Sequence, residues 1–494
     1  MRLLEAIDDR LRTSHDRDVN ERGAALLIVT FSLLVLLGMA AFSVDLGWLY
    51  YNDLEARKAA EAAALAGVVH MPLPSGTSFG PGTQPYDVAV DVASRNGFGS
   101  ATPTETAFSN QLKVDTARTV DTFFMRVFGI NQVTVHADAT AEQLPPLKIG
   151  SDGPQLGGGS QELWVAINGD RRKKNSGDPF STHCVRENNN CGGTQNAEYR
   201  DPAYYYAVEV LPAGAGSALG IDIWDGPHFN RPNIDTETGE YSGEDGWFLT
   251  FDVYAPDQTP NDWSDNSDNS SAVCSRTFFY TDDSSPGSGV NEWAAIGGCP
   301  FAQAGIYVIE VSTGGSIANV SAFAIRASAG GPANVAVYGL GSMSLWMNQD
   351  NSNPVFQLVR LDTVYAGTEL VLRLFDPGDA TGLSRLRFDG ALAGTDCMVR
   401  VTNEFGTTGP LQSDGALNPD GDWAGSSCGI TTATNSVSRI FNGDWVEMRF
   451  DIDAAHACSG SACWVYVNYN FTNSPFDRTT WSATINGSPI HLEP

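Results

Sequence analysis

One uncharged, mostly apolar segment near the N-terminus constrains this chain more than any other feature. It runs between Arg22 and Asp45. An α-helix rises about 1.5 Å per residue, so roughly 20 apolar residues cross the hydrocarbon core of a bilayer, which is about 30 Å thick. No second segment of comparable length follows in the 494 residues. We therefore predict a single-pass transmembrane helix over residues 23–44, with residues 45–494 on one side of the membrane.

The basic residues on either side of the segment predict its orientation. Five arginines precede it, namely Arg2, Arg10, Arg12, Arg17 and Arg22. After it, the first basic residues are Arg57 and Lys58. The positive-inside rule then predicts a cytoplasmic tail over residues 1–22 and an extracytoplasmic location for the bulk of the chain. A cleaved signal peptide is the alternative, but its apolar region usually has only about 7–15 residues.

Cysteine content and charge agree with export. All eight cysteines follow the apolar segment, and an even number in an exported region predicts disulfides. No set of His and Cys has the spacing of zinc ligands. Through Glu142 the chain has 11 basic and 17 acidic residues, so about 23 of the 29 net negative charges lie beyond it. That excess disfavours nucleic acid and anionic lipid as partners of the C-terminal part.

The pattern directly after the apolar segment predicts a small α/β module over residues 45–143. Leu54–Gly67 consists mostly of strong helix formers, and a second helix is expected at about Tyr86–Arg95. Alternation predicts strands at Gln111–Ala117 and Val133–Ala141, with a short helix between them at Thr122–Phe128.

Three sequence blocks carry a family resemblance. They are Glu21-Arg-Gly-Ala, Val44-Asp-Leu-Gly-Trp-Leu-Tyr50 and Ala59-Ala-Glu-Ala-Ala-Ala-Leu-Ala-Gly67. With the later run from Phe123 to Ala141, they resemble the N-terminal module of TadE/TadG-like proteins of tight-adherence (Flp-type) pilus machinery, over residues of about 20–143. The resemblance implies a pilin-like module and other pilus or envelope proteins as partners.

Two departures from that family limit what the resemblance implies. Substrates of prepilin peptidase usually carry Glu at the fifth position after the cleaved Gly, and counting from Gly23 this position is Ile28. We therefore expect the mature protein to retain residues 1–22. The Asp-x-Ser-x-Ser motif of a von Willebrand A domain is absent, and Asp268-Asn-Ser-Ser-Ala272 fails at its last position. A metal-dependent adhesion site is not expected.

The rest of the chain has the composition of a β protein. Residues 144–160 are rich in Gly and Pro, which predicts a linker. Short strand-like runs then alternate with clusters of Gly, Pro, Asn and Asp, as in β-sandwiches. The predicted fold class is α+β, with a transmembrane helix, a pilin-like α/β module and two related all-β sandwich domains.

An internal repeat supports the two sandwiches, predicted over residues 161–345 and 346–494. Tyr205–Asp225 aligns without a gap on Phe356–Asp376. A second pair of blocks, from Val273 to Cys299 and from Asp396 to Cys428, follows in the same order. In each copy we expect a further strand pair, 306–311 and 320–326 matching 446–452 and 465–471.

The repeat also restricts the disulfide pairing, since eight cysteines allow 105 connectivities. If the copies share a fold, their bridges are equivalent, and the remaining cysteines close two short loops. The predicted bridges are Cys184–Cys191, Cys274–Cys299, Cys397–Cys428 and Cys458–Cys463.

Candidate ligand sites are weak in this sequence, and no catalytic motif occurs, so we expect no enzyme activity and no cofactor. Closely spaced carboxylates suggest calcium as a candidate metal, because Ca²⁺ prefers oxygen ligands. They are Asp262, Asp265, Asp268, Asp376, Asp379, Asp420 and Asp422. Solvated acidic loops and ordinary turns explain the same carboxylates.

Tryptophans that could stack on a glycan are Trp224, Trp247, Trp263, Trp346 and Trp481, and core packing is the alternative for each.

The anchor, the signs of export and the family resemblance together predict the function. It is that of a membrane-anchored, extracytoplasmic, non-catalytic structural or assembly component of a tight-adherence pilus or related envelope apparatus. The alternative is a surface adhesin or carbohydrate-binding protein that uses the same anchor.

Overall fold

The computed structural model of the chain describes residues 2–74, 77–158, 163–167, 203–225, 248–279, 293–314, 321–348, 354–376, 383–402, 407–413, 428–433, 444–471 and 476–493. These residues divide into two compact units. The N-terminal unit comprises Met1–Val68, Phe79–Glu142 and Leu492–Pro494. The β unit comprises Val69–Ser78 and Gln143–His491.

The N-terminal unit begins with a continuous helix, α1 (Arg2–Val68), followed by α2 (Gln84–Arg95). Three strands follow, β1 (Thr102–Glu105), β2 (Gln111–Asp121) and β3 (Gln132–Gln143). They form an antiparallel sheet in the order β1-β2-β3, and the last strand of the chain is next in that order. The two predicted helices and two predicted strands are confirmed. The predicted short helix is a 3-10 turn at Met125–Phe128, and β1 was not predicted.

Small side chains allow α1 to lie close to β2. The buried face of α1 carries Ala56, Ala59, Ala60, Ala63 and Ala64. At Gly67 an added Cβ would lie 2.4 Å from Leu112 Cδ2 and 2.7 Å from the carbonyl oxygen of Pro85. A larger residue at position 67 would therefore clash with β2 and with the first turn of α2.

The β unit contains 21 of the described strands, β4 to β24, and one short helix, α3 (Asn266–Asn269). The strands of its first part are β4 (Lys148–Ile149), β5 (Gln155–Leu156), β6 (Leu163–Ile167), β7 (Ala203–Val210), β8 (Leu219–Asp225), β9 (Phe248–Tyr254), β10 (Cys274–Phe279), β11 (Trp293–Ala295), β12 (Gly305–Gly314), β13 (Ser321–Ala329), β14 (Val335–Leu340) and β15 (Ser342–Asn348). Those of its second part are β16 (Val355–Arg360), β17 (Glu369–Asp376), β18 (Leu383–Gly390), β19 (Met398–Thr402), β20 (Gln412–Ser413), β21 (Gly429–Ala433), β22 (Asp444–Asp451), β23 (Trp464–Phe471) and β24 (Phe476–Ile485). The last strand of the chain, β25 (Ile490–Leu492), adjoins β3 in the small sheet.

Two long sheets run through both parts of the β unit. The first has the order β10-β9-β12-β7-β14-β4-β16-β23-β18-β21, and the second has the order β11-β8-β13-β6-β15-β24-β17-β22-β19-β20. Aromatic contacts join the sheets face to face, with ring centroids 5.3 Å apart for Phe251 and Phe323 and 5.4 Å apart for Phe388 and Phe450. One hydrophobic core extends through both repeats.

The first repeat block is reproduced in the structure down to its turn. β7 and β16 are each followed by a 3-10 turn, at Pro212–Gly214 and Thr363–Tyr365, and then by β8 and β17. The glycine after each turn has a positive φ, 80° at Gly216 and 76° at Gly367. The side chains of Ile221, Ile223, Leu372 and Leu374 are buried, as alternation predicts.

Two expectations in this part need correction. By position in the sheets, β12 corresponds to β23 and β13 corresponds to β24. The predicted matches of 306–311 with 446–452 and of 320–326 with 465–471 are therefore each wrong by one strand. The segment predicted as a linker instead supplies β4 and β5, and β4 joins the two repeats in the first sheet because it pairs with both β14 and β16. Its apolar residues Leu144, Leu147, Ile149 and Leu156 are buried, which composition alone concealed.

Candidate functional site next to the apolar helix

A buried carboxylate at the end of the apolar segment organises this site. Asp45 lies in α1 and its side chain is 0% exposed. Its Oδ1 accepts a hydrogen bond from the backbone N–H of Phe123 at 2.8 Å. Its Oδ2 accepts from the N–H groups of Phe124 at 2.8 Å and Met125 at 2.6 Å. Hydrogen bonds from three amides stabilise an ionised carboxylate. Asp45 therefore holds the backbone of Phe123, Phe124 and Met125 against α1.

The segment Phe123–Ile130, which we call the apolar loop, is also closed by its own hydrogen bonds. Thr122 N–H and Asn131 O lie 3.0 Å apart across its base, and Thr122 Oγ1 donates to the carbonyl oxygens of Ile130 and Asn131. Gly129 ends the 3-10 turn with a φ of 83°, which a side chain would disfavour. The loop is therefore a defined structural element.

Apolar side chains on the apolar loop are exposed. The exposed fraction is 81% for Val127 and 82% for Phe128, and Phe123, Phe124 and Ile130 are exposed to lesser degrees. Phe123 contacts Trp48 of α1, with ring centroids 5.8 Å apart, and Trp48 stacks on Tyr51 at the same distance. The loop thus lies beside the aromatic residues that follow the apolar segment.

The helix carrying Asp45 is positioned by a second polar contact further along. Thr116 of β2 is buried, and its Oγ1 lies 3.0 Å from the carbonyl oxygen of Ala56 and 3.1 Å from that of Ala137. This hydroxyl therefore joins α1, β2 and β3 at one point. The same unit contains the segment Ala25–Val68, which is long and apolar enough to cross a membrane.

These features lie within a recognised module. Residues 40–141 match the model of the Tad-like Flp pilus-assembly family. The match agrees with the resemblance deduced from the sequence blocks and includes Asp45, Thr116 and the apolar loop. It does not extend into the β unit.

Other comparisons contribute no argument about function. No curated protein sequence matches the chain. Among solved structures, the N-terminal CBM22-1-CBM22-2 tandem domain of Paenibacillus barcinonensis Xyn10C is 8% identical, with 79% of this chain and 92% of that chain covered and a TM-score of 0.13. The VP2 subviral particle of infectious bursal disease virus is 10% identical, with 72% and 83% covered and a TM-score of 0.11. At such TM-scores neither likeness informs the fold.

Three of the predicted cysteine pairs are disulfides in the structure. Cys274 is joined to Cys299, Cys397 to Cys428 and Cys458 to Cys463. Cys274 and Cys428 adjoin the two end strands of the first sheet, whereas Cys299 and Cys397 adjoin strands of the second sheet. In chain order, the first bridge therefore runs from the first sheet to the second, and the second bridge runs from the second sheet to the first. Cys184 and Cys191 lie outside the described residues.

The carboxylates suggested for calcium do not form one ligand set where they are described. Asp265 accepts from Thr259 Oγ1 at 3.0 Å, and Asp262 accepts from the Ser264 N–H at 3.0 Å. Among the described residues, these two and Asp268 do not bring their carboxylate oxygens within 4.8 Å of one another as a group. Burial raises the pKa of Asp265, and the charges of Asp257 and Asp262 add to this.

Calcium at the other suggested carboxylates stays a prediction, because the described part of the chain does not include Asp379, Asp420, Asp422 or the side chain of Asp376.

The candidate tryptophans are only partly described. The structure does not describe Trp247 or the side chain of Trp346. Trp481 is fully buried in the core. Trp224 packs edge-on against Trp293 with ring centroids 5.3 Å apart, and Trp263 packs against Tyr205 at 5.1 Å.

A second buried carboxylate lies at the far end of β3. Glu142 Oε1 accepts from Asn110 Nδ2 at 2.7 Å. Burial raises the pKa of Glu142 to about 7, and a hydrogen bond and charge from Glu493 contribute to the shift. Sequence analysis missed both Glu142 and Asp45, because their partners lie 32 to 351 residues away. The only local signal for Asp45 was a charge directly after an apolar segment.

Proposed function

We propose that this chain is a membrane-anchored, non-catalytic structural or assembly component of a tight-adherence (Flp-type) pilus or a related envelope apparatus. The family match at residues 40–141 is the observation that carries the proposal. It begins near the end of the apolar segment and covers the Asp45 contacts and strands β1 to β3 of the small sheet. The β unit adds a large disulfide-linked body suited to contacts with other pilus or envelope proteins.

The orientation belongs to the same proposal. Residues 1–22 would lie in the cytoplasm and residues 45–494 outside, because the arginines are concentrated ahead of the apolar segment. The disulfides of the β unit support an oxidising compartment. A reporter that is active only in the cytoplasm, fused after Pro494, should be inactive, and a reporter that requires export should be active there. The reverse pattern would contradict the orientation.

A deletion strain tests the pilus role. Cells of the native host that lack this chain should lose surface pili, and the full-length chain supplied from a plasmid should restore them. Intact pili together with lost attachment to a glycan surface would instead favour the adhesin alternative.

Mass spectrometry of the mature chain tests processing. We expect residues 1–22 to be retained, and Ala24 as the first residue would instead place the protein among the processed pseudopilins.

A further inference from the structure

The apolar loop has the composition of a segment that contacts lipid. From Phe123 to Ile130 it contains no acidic residue, although the chain as a whole carries a net charge of −29. Its two most exposed side chains, Val127 and Phe128, are more than four-fifths exposed. Contiguous exposed apolar side chains mark surfaces that bind a membrane or a protein.

The position of the apolar loop favours a membrane over a protein as its contact. The 22 residues of the segment 23–44 span about 33 Å as a helix, which matches the thickness of the hydrocarbon core. Asp45 is the next residue, and it binds the backbone of Phe123, Phe124 and Met125 directly. The loop is therefore fixed at the level where the helix leaves the bilayer, beside Trp48.

Interactions within the loop also suit a membrane surface. Arg126 is its one charged residue, and its Nε donates to the carbonyl oxygen of Thr122 at 2.8 Å. Val127 and Phe128 follow that arginine on a closed turn, and both are exposed. Aromatic and aliphatic side chains at this depth gain by leaving water, while a nearby cation can remain at the headgroups.

We propose that the apolar loop inserts Val127 and Phe128 into the outer leaflet of the membrane that α1 crosses. The N-terminal unit would then contact the bilayer at two points, the helix and the loop. The second contact would restrict rotation of the unit about the helix axis. This inference rests on the proposed membrane anchor, and the occupant it names is lipid.

Site-specific labelling in vesicles tests the proposal. Phe128→Cys in the full-length chain is labelled with an environment-sensitive nitrobenzoxadiazole dye and reconstituted into phosphatidylcholine vesicles. Phe108→Cys is the matched control, because Phe108 is also an exposed phenylalanine, 63% exposed. It lies three residues before β2, whose Leu112 contacts the Gly67 end of α1, about 33 Å along the helix from Asp45. Leu34→Cys reports on the helix itself, and the unsubstituted chain gives the labelling background.

We expect the dye at position 128 to emit at shorter wavelength and to be quenched by lipids brominated near the headgroup. The dye at position 108 should be quenched by aqueous iodide and not by brominated lipid. Quenching by lipid at position 34 together with iodide quenching at position 128 would overturn the loop insertion and leave the anchor standing. No lipid quenching at position 34 would overturn the anchor and the insertion together. Protection of position 128 from both quenchers would mean that protein rather than lipid covers the loop, which also overturns the proposal.

Discussion

The N-terminal unit and the β unit differ in what holds distant segments of chain together. In the N-terminal unit the contacts with α1 are made by small alanines and by a few buried polar groups, Asp45 and Thr116 among them. In the β unit one apolar core passes through both sheets and includes fully buried rings such as Trp481 and Tyr469. A single polar substitution should therefore affect the N-terminal unit most, and backbone or cross-link changes should affect the β unit.

The largest effect is expected from removing a long-range cross-link in the β unit. Cys397→Ser with Cys428→Ser opens a loop with a sequence separation of 31, and Cys458→Ser with Cys463→Ser opens one of 5. Restriction of the unfolded chain predicts losses of about 3.7 and about 2 kcal/mol in the free energy of unfolding. Denaturant unfolding of the full chain in detergent micelles measures both. Equal losses, or a loss of hydrogen-exchange protection in the N-terminal unit, would contradict this expectation.

A backbone substitution should have nearly as large an effect. Gly390 ends β18 with a φ of 74°, and an added Cβ would lie 2.0 Å from the carbonyl oxygen of Trp464. Gly390→Ala should lower the free energy of unfolding of the β unit by about 3 kcal/mol or more. Gly394→Ala is the control, since Gly394 has a φ of 78° with no atom within 4 Å of the added Cβ. Gly394→Ala should lower the free energy of unfolding by about 1–2 kcal/mol. Similar losses in the two variants would argue against a clash with the Trp464 carbonyl as the cause.

The third effect concerns the N-terminal unit. Asp45→Asn removes the charge that accepts three amide hydrogen bonds, which should cost about 2 kcal/mol. Amide hydrogen exchange at Phe123, Phe124 and Met125 should accelerate, while the β unit keeps its protection. Asp121→Asn serves as a control because Asp121 accepts from Gln132 Nε2 at the surface. Unchanged exchange in Asp45→Asn would show that the loop does not depend on this carboxylate.

The smallest effect is a pH dependence within the N-terminal unit. The pKa of Glu142 is raised from 4.5 to about 7 in the folded state, so the folded state holds this proton more tightly than the unfolded chain does. Stability should therefore fall as pH rises from about 4.5 to about 7. Glu142→Gln should flatten this part of the profile of thermal midpoint against pH. Glu105→Gln, at an exposed position in β1, should leave the slope as it is, and a slope that persists in Glu142→Gln would assign it to another group.

The local patterns of the sequence predicted the main elements of the N-terminal unit and some of the strands of the β unit. Helix formers and alternation located α1, α2, β2 and β3, and the ungapped repeat located the matching strands β7 and β16 with their turns. Local signals failed where a segment is too short or too polar to show periodicity. β4 and β5 have two residues each, and the Gly and Pro around them resemble a linker. The correspondence of β12 with β23 required the sheet order, because strand runs of similar composition follow one another in both repeats.

The candidate site shows the same limit more sharply. The sequence by itself determined the apolar helix, the module that resembles the Tad-like family and the repeat, because each depends on composition and spacing along neighbouring residues. Only the tertiary structure decided that Asp45 binds amides 78 to 80 residues away, and that an apolar loop lies exposed beside the helix. It also decided that both repeats share two sheets. The physical reason is that a backbone amide or a sheet edge has the same chemistry at every position, so its partner is fixed by packing rather than by residue type.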